Sequence, residues 1–175
     1  MVELAGPFFM FATLLVVSGV PKLTDPVSTT RALESIGLPP RRNLGRAVGV
    51  VEIIVGVGVI AIGGPLMAAA LAVLYAGFAG FILLGLRSNK VKSCGCFGSD
   101  DTPPSLLHLV IDIGAAAVGA VLAFQPVGHL LEVMGETPWA GFPFLFLVLI
   151  GTWLALIVLA ILPALFAELK ALESA

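Results

Sequence analysis

The chain has 175 residues, of which 59% are hydrophobic and only 11% charged, and its mean hydropathy is +1.11. Soluble domains contain about 45–50% apolar and about 25% charged residues, so this composition excludes an ordinary water-soluble globule. The net charge of −2 offers no basic surface to a nucleic-acid backbone, and two cysteines are too few for a disulfide scaffold. We therefore predict an all-α polytopic membrane bundle that forms a single domain over residues 1–175.

Five charge-poor apolar runs are long enough to cross a bilayer, which takes about 20 helical residues. They cover approximately residues 4–20, 44–62, 66–86, 105–124 and 142–166. The Gly63–Pro65 run predicts a tight turn between the second and third spans. The polar stretch Pro26–Gly37 predicts a short surface helix that the Pro39-Pro40 pair ends.

The distribution of basic residues predicts the orientation of the bundle. With five spans, all nine Lys and Arg residues lie on one side of the membrane, and the positive-inside rule makes that side cytoplasmic. The N-terminus is then outside, whereas the C-terminus and the loop after the third span are cytoplasmic. Trp139 is expected in the outer loop at the membrane interface. The first span has no basic residue before it and no cleavage pattern after it, so we expect it to remain in the mature chain.

The loop after the third span contains the run Cys94-Gly95-Cys96, with two lysines before it and two aspartates after it. Two thiols separated by one glycine can close a small strained ring, and strain makes a disulfide easier to reduce. The lysines favour the thiolate, which is the attacking form. We predict that Cys94 and Cys96 form an exchange-competent redox pair; the alternative is that they merely fill an interface. No metal site is expected, because these two thiols and the nearest histidine, His108, do not supply four ligands.

Ionisable side chains within the spans are the second signal. Glu52 in the second span and His108 and Asp112 in the fourth lie at similar depths from the basic side. A charge in hydrocarbon costs ~2.5–3.5 kcal/mol, so these groups should face the bundle interior. Lys22, one turn after Ser18 in the first span, is placed to pair with a carboxylate. Two interpretations stay open: a polar pocket that relays protons or holds a quinone carbonyl, or an ion pair of Lys22 with Glu52 or Asp112 that only pins the helices.

Four features together resemble the MauE branch of the DoxX-like redox-associated membrane proteins, over about residues 14–124. They are the Ser18–Leu23 run with Asp25-Pro26 after it, Glu52 followed by glycines, the Cys94–Gly98 loop, and Asp112 in the fourth span. The resemblance implies a four-helix core in the bacterial cytoplasmic (inner) membrane, here extended by a fifth C-terminal transmembrane helix.

The resemblance also implies a function. A thioredoxin-like partner would share in thiol and disulfide handling, which in methylamine utilisation means maturation of a disulfide-rich exported dehydrogenase subunit. Cys94 and Cys96 would be the redox pair, and Lys22, Glu52 and Asp112 the supporting polar set. An exported substrate requires the cysteines outside, which conflicts with the charge count unless one span before the loop is miscounted.

We therefore expect a membrane thiol–disulfide redox protein whose partners are a thioredoxin-fold protein, membrane lipid and a larger membrane complex, with a lipid quinone as the other redox party. The sequence does not assign an enzymatic activity, because no pocket for a soluble substrate is evident. The alternative is a non-catalytic scaffold or assembly subunit that recruits a partner through its basic loops and fifth helix. A transporter is disfavoured, since neither internal repeats nor broken helices in matching halves are present in the sequence.

Overall fold

Helices make up almost all of the computed structural model, which describes residues 2–88, 105–136 and 138–173. In chain order they are α1 (Val2–Thr24), α2 (Val27–Ser35), α3 (Arg42–Ala61), α4 (Gly64–Ser88), α5 (Leu106–Phe124), α6 (Leu130–Glu136) and α7 (Pro138–Glu173). The described ranges contain no strand, and the all-α fold class is confirmed.

Five of the helices, α1, α3, α4, α5 and α7, are long and apolar enough to cross a membrane. Their outward faces expose large apolar side chains such as Ile54, Val73 and Phe124, which is the surface that lipid covers in a membrane bundle. The polytopic bundle with a fifth, C-terminal membrane helix is thus confirmed. Trp139, predicted for the outer loop, instead lies in the first turn of α7 and is fully exposed.

The helices associate mainly as two pairs, α1 with α3 and α4 with α5. The pairs meet where α3 contacts α4 and where α1 contacts α5, and α7 packs against α1. The apolar core between them is built on large side chains of α1, α4 and α5, among them Phe8, Phe9, Leu15, Leu71 and Leu122. This arrangement leaves a cleft at one end of the bundle, described below.

The α1–α3 pair is held at backbone contact by two glycines. A Cβ added at Gly49 would lie 2.8 Å from the Gly19 carbonyl oxygen, and one added at Gly19 would lie 2.7 Å from the Gly49 carbonyl oxygen. Both distances are shorter than any ordinary carbon–oxygen contact, so only glycine permits the helices to approach this closely. The close approach brings the side chains that flank these glycines face to face.

The turn between α3 and α4 forms at the predicted glycines. Gly63 and Gly64 have φ values of +67° and +80°, a region that other residues adopt only with strain. The Gly64 N–H donates to the Val127 carbonyl at 3.1 Å, which ties this turn to the segment after α5. α3 and α4 therefore reverse direction within two residues.

The short helix α2 differs from the predicted surface helix in two ways. It ends at Ser35, ahead of the Pro39-Pro40 pair, because the N–H groups of Gly37 and Leu38 donate back to the last-turn carbonyls of α2 at 2.9 and 3.2 Å. One of its faces is also buried: Ser28, Thr29, Thr30 and Ala32. α2 packs on the start of α3 and forms one wall of the cleft.

Candidate functional site: a polar cavity at one end of the bundle

A cavity of about 370 Å³ lies between the α1–α3 pair, the α4–α5 pair and α2. Most of its lining comes from the second half of α1, the middle and second half of α4, and the first halves of α3 and α5, and Leu159 of α7 adds to it. The last residue of α4 and the first residue of α5 both lie at the same end of the bundle as the cavity, and residues 89–104 stand between them in the sequence. Most of the lining is apolar or aromatic, and the polar side chains in it are Ser18, Lys22, Thr29, Glu52, Tyr75, His108 and Asp112.

Lys22 and Glu52 form a buried ion pair across the α1–α3 contact. The Lys22 Nζ donates to both carboxylate oxygens of Glu52, at 2.6 and 2.8 Å, and the two side chains are only 5% and 1% exposed. α1 continues to Thr24, beyond the predicted end at residue 20, so Lys22 is held on the helix one turn after Ser18. Of the two ion pairs that the sequence allowed, the structure forms Lys22 with Glu52.

The ion pair is largely satisfied by its own neighbours. The Ser18 hydroxyl lies 3.3 Å from Glu52 Oε2 and 3.1 Å from the Leu15 carbonyl oxygen, and it can donate its single hydrogen to either. The Lys22 Nζ also lies 5.9 Å from the centre of the Phe78 ring, within range of a cation–π attraction. Lys22 and Glu52 therefore present a neutral, internally paired unit to the cavity.

His108, in the first turn of α5, is buried but only half satisfied. Its Nδ1 lies 2.8 Å from the Ser105 hydroxyl oxygen, and its backbone N–H donates to the same oxygen at 3.4 Å, so that Ser105 caps the helix. His108 is 4% exposed, and its Nε2 has no hydrogen-bond partner among the described residues. A buried ring nitrogen without a partner on the wall of a cavity is available to a ligand.

Asp112 lies one turn after His108 on the same face of α5 and also lines the cavity. Within the described residues it forms no ion pair and no hydrogen bond, although the charge of Lys22 attracts its carboxylate. The α5 wall thus contributes two polar side chains whose bonding capacity is incompletely used.

The cavity brings together all five of the polar residues singled out from the sequence, Ser18, Lys22, Glu52, His108 and Asp112. Cys94 and Cys96 lie outside the described residues. No group of three or more His, Cys, Asp or Glu side chains suited to a metal ion occurs in the described ranges.

The aromatic wall of the cavity was missed in the sequence. Tyr75, Phe78 and Phe81 follow one another at three-residue spacing along α4 and all line the cavity. The Tyr75 hydroxyl donates to the Phe11 carbonyl at 2.9 Å, which ties α4 to α1. The available signal was that the single tyrosine of the chain lies within an otherwise apolar span, where its hydroxyl needs a partner.

Comparison with known proteins supplies the family. The model of the family described as methylamine utilisation protein MauE matches residues 2–125. The chain belongs to the MauE family. The match spans α1 to α5 and so takes in every helix that contributes a polar side chain to the cavity. No curated protein and no solved structure matches the chain. The protein is accordingly a multi-pass membrane protein of a family assigned to methylamine utilisation.

Proposed function

We propose that this MauE-family protein is a thiol–disulfide redox protein of the DoxX-like group, which acts with a thioredoxin-fold partner in the bacterial cytoplasmic membrane. The observation that carries the proposal is the polar cavity at the ends of α4 and α5. The sequence segment that joins these two helices contains Cys94-Gly95-Cys96. Reactive cysteines favour positively charged, accessible surroundings, and two lysines precede the pair in this segment.

The chemistry is an exchange of two electrons between two dithiol–disulfide pairs. A thiolate of the reduced pair attacks the partner's disulfide, forms a mixed disulfide and releases one partner thiolate. The second thiolate of the pair then attacks the mixed disulfide, which closes the Cys94–Cys96 bond and releases the second partner thiolate. The two protons of the original dithiol end on the partner, and the reverse reaction follows the same steps.

The polar set would support this exchange from within the membrane. Asp112 and His108 can accept and return a proton during thiol exchange, because each keeps bonding capacity that no described residue uses. Lys22 and Glu52 would hold α1 against α3 and so keep the cavity in shape. In methylamine utilisation, the proposed substrate is an exported disulfide-rich dehydrogenase subunit that the partner delivers or receives.

The test is mass-tagged thiol alkylation of the intact membrane protein. After reduction we expect two tags on the wild-type chain, and after mild oxidation none. Cys94→Ser and Cys96→Ser are matched controls that should keep one tag after either treatment when no partner is present. With an oxidised thioredoxin-fold protein added, the variant that retains the attacking cysteine should trap a mixed disulfide and lose its tag until it is reduced. Equal labelling of both cysteines in the reduced and oxidised wild type would reject the proposal.

A non-catalytic scaffold is the second candidate, favoured by the Lys22–Glu52 pair, whose bonds are completed within the bundle and which pins α1 to α3. A scaffold would support methylamine-dependent growth normally with both cysteines replaced by serine. The redox proposal requires that growth fail in that variant while the protein still accumulates in the membrane.

The orientation of the bundle is a further part of the proposal. The charge count favours cysteines on the cytoplasmic side, whereas an exported substrate favours the outside. Labelling of whole cells with an impermeant maleimide separates the two, since only outside cysteines react before the cells are lysed.

A further inference from the structure

On the α5 wall of the cavity, the Nε2 atom of His108 is buried and has no hydrogen-bond partner among the described residues. Ser105 Oγ accepts the His108 backbone N–H, and within the described residues its own hydrogen has no acceptor other than His108 Nδ1, 2.8 Å away. If Ser105 donates to Nδ1, the ring hydrogen lies on Nε2, and this is the tautomer on which the inference is built. In this tautomer the Nε2–H group is a buried donor without a partner among the described residues. A ligand in the cavity that accepts a hydrogen bond would satisfy it.

The cavity also reaches the outer surface of the bundle in the region where lipid would lie. Val73 and Gly77 on α4 and Ile36 after α2 line it, yet Val73 is 72% exposed and Ile36 is 38% exposed. Gly77 is exposed too, and a Cβ at this position would meet no atom within 4 Å. The gap between α2 and α4 is therefore an open side of the cavity, through which an apolar molecule could pass from the bilayer.

The charges in the cavity select against an anionic ligand. Lys22 is neutralised by Glu52, and Asp112 adds a carboxylate without a direct ion pair in the described part of the chain. Among the described lining residues, a fatty acid or a phospholipid phosphate would meet no cation other than the paired Lys22. A cationic amine would leave the His108 Nε2–H without an acceptor. A neutral, largely apolar ligand with a carbonyl oxygen at one end carries no negative charge and offers an acceptor to His108 Nε2–H.

We infer that this cavity binds the ring of a lipid-soluble quinone, which enters between α2 and α4 and is held by a hydrogen bond from His108 Nε2 to one carbonyl oxygen. A cavity of about 370 Å³ lies within the size range of small-ligand sites, and its aromatic wall of Tyr75, Phe78 and Phe81 suits a flat ring. Asp112, one turn along the same helix face, can accept a hydrogen bond from the hydroxyl of the reduced form. The inference rests on the proposed function, for which a quinone supplies a two-electron, two-proton acceptor.

The experiment is photo-crosslinking of the purified protein in phospholipid nanodiscs with an azido-substituted quinone, competed by decylubiquinone. Labelled peptides are quantified by mass spectrometry. We expect the label on α4 and α5 of the wild type, and loss of that label when decylubiquinone is in excess. Oleate at the same concentration should not displace it. Label spread evenly over all lipid-facing helices, or displaced equally by oleate, would overturn the inference.

Two matched pairs of variants test the geometry. His108→Phe fills the same space without a donor and should weaken decylubiquinone competition about tenfold, whereas His108→Gln keeps an N–H donor and should retain most of it. Gly77→Leu narrows the open side and should reduce labelling. Gly80→Leu, on the same helix and equally open but outside the cavity lining, should not. Equal decylubiquinone competition in the two His108 variants contradicts the assigned contact, and equal labelling of the two glycine variants contradicts the assigned route.

These measurements can reject the quinone site and the thiol function separately. If quinone labelling is absent while the cysteines still change their alkylation with redox state, only the quinone site is wrong. If the quinone labels the cavity while the cysteines do not respond to oxidation, the proposed thiol function is wrong and the cavity keeps a quinone site without it. Folding of each variant is checked by its thermal unfolding in the same nanodiscs.

Discussion

The α1–α3 pair and the α4–α5 pair both line the cavity, but they use their polar residues in opposite ways. Between α1 and α3, Lys22 and Glu52 satisfy each other at 2.6 and 2.8 Å, behind a glycine contact that leaves no space for a larger residue. On α5, His108 and Asp112 face the same cavity with bonding capacity that no described residue uses. Within the α1–α3 pair, the fold itself supplies the bonding partners of Lys22 and Glu52. His108 and Asp112 on α5 keep bonding capacity that a ligand in the cavity could use.

This difference predicts that substitutions in the α1–α3 pair mainly change stability, whereas those on the α5 wall mainly change binding. The largest effect is expected at Glu52. Glu52→Ala leaves the Lys22 ammonium buried without a partner, and loss of one member of a buried pair costs about 3–5 kcal/mol. Reversible unfolding of the protein in mixed micelles measures the loss.

Two control variants show whether the stability loss of Glu52→Ala comes from the buried ion pair. Glu132→Gln removes a carboxylate from an exposed pair with His129 and should change stability by less than about 1 kcal/mol. Replacing both members of the buried pair, Lys22→Met with Glu52→Gln, should recover part of the loss. A Glu52→Ala protein as stable as the wild type would mean that the pair does not hold α1 to α3.

The next largest effect is expected at the glycine contact. A Cβ at Gly49 would lie 2.8 Å from a backbone oxygen and 2.9 Å from Lys22 Cβ, so Gly49→Ala must push the helices apart, at a cost of about 1–3 kcal/mol. Gly114→Ala, on α5 with no atom within 4 Å of its added Cβ, is the matched control and should cost nothing. The same unfolding assay compares them, and equal stability of the two variants would refute a backbone-contact role for Gly49.

A smaller loss is expected for Ser18→Ala. Lys22 Nζ makes two of the three hydrogen bonds to the Glu52 carboxylate, and the contact from the Ser18 hydroxyl is the longest of the three, at 3.3 Å. Its removal leaves both Lys22 bonds in place, so the cost should be about 0.5–1.5 kcal/mol. Thr13→Ala is a useful comparison, because the Thr13 hydroxyl donates only to the Phe9 carbonyl of its own helix. A Ser18→Ala loss as large as that of Glu52→Ala would mean that the hydroxyl is essential to the pair.

The smallest effect on stability is expected for His108→Phe. The substitution removes the Nδ1 bond to Ser105, but it also removes the buried Nε2 that has no partner in the described ranges. These two effects oppose each other and the ring shape is similar, so the free energy of unfolding should change by less than about 1 kcal/mol. The comparison then requires quinone competition to weaken while stability is retained. A His108→Phe protein that unfolds as readily as Glu52→Ala would place His108 with the structural pair instead.

The sequence predicted which polar residues line the candidate site better than it predicted the contacts between them. Glu52, His108 and Asp112 can be recognised from sequence, because an ionisable group inside an apolar span is costly unless it faces the interior. Their similar depth could also be counted from helix rise. The choice of partner for Lys22 could not be predicted, since Glu52 and Asp112 lie at similar depths and only the rotation and spacing of α1 against α3 separates them.

The apolar runs and glycine breakers by themselves determined an all-α bundle with five membrane-length helices and the place of the α3–α4 turn, because these depend on composition and local backbone preference. The tertiary structure alone decided that α2 folds inward as a wall of the cavity, that the aromatic face of α4 lies opposite it, and that His108 Nε2 is left without a partner in the described chain. These features depend on which helix faces meet, and apolar periodicity in a lipid-embedded helix carries little of that information because every face is hydrophobic.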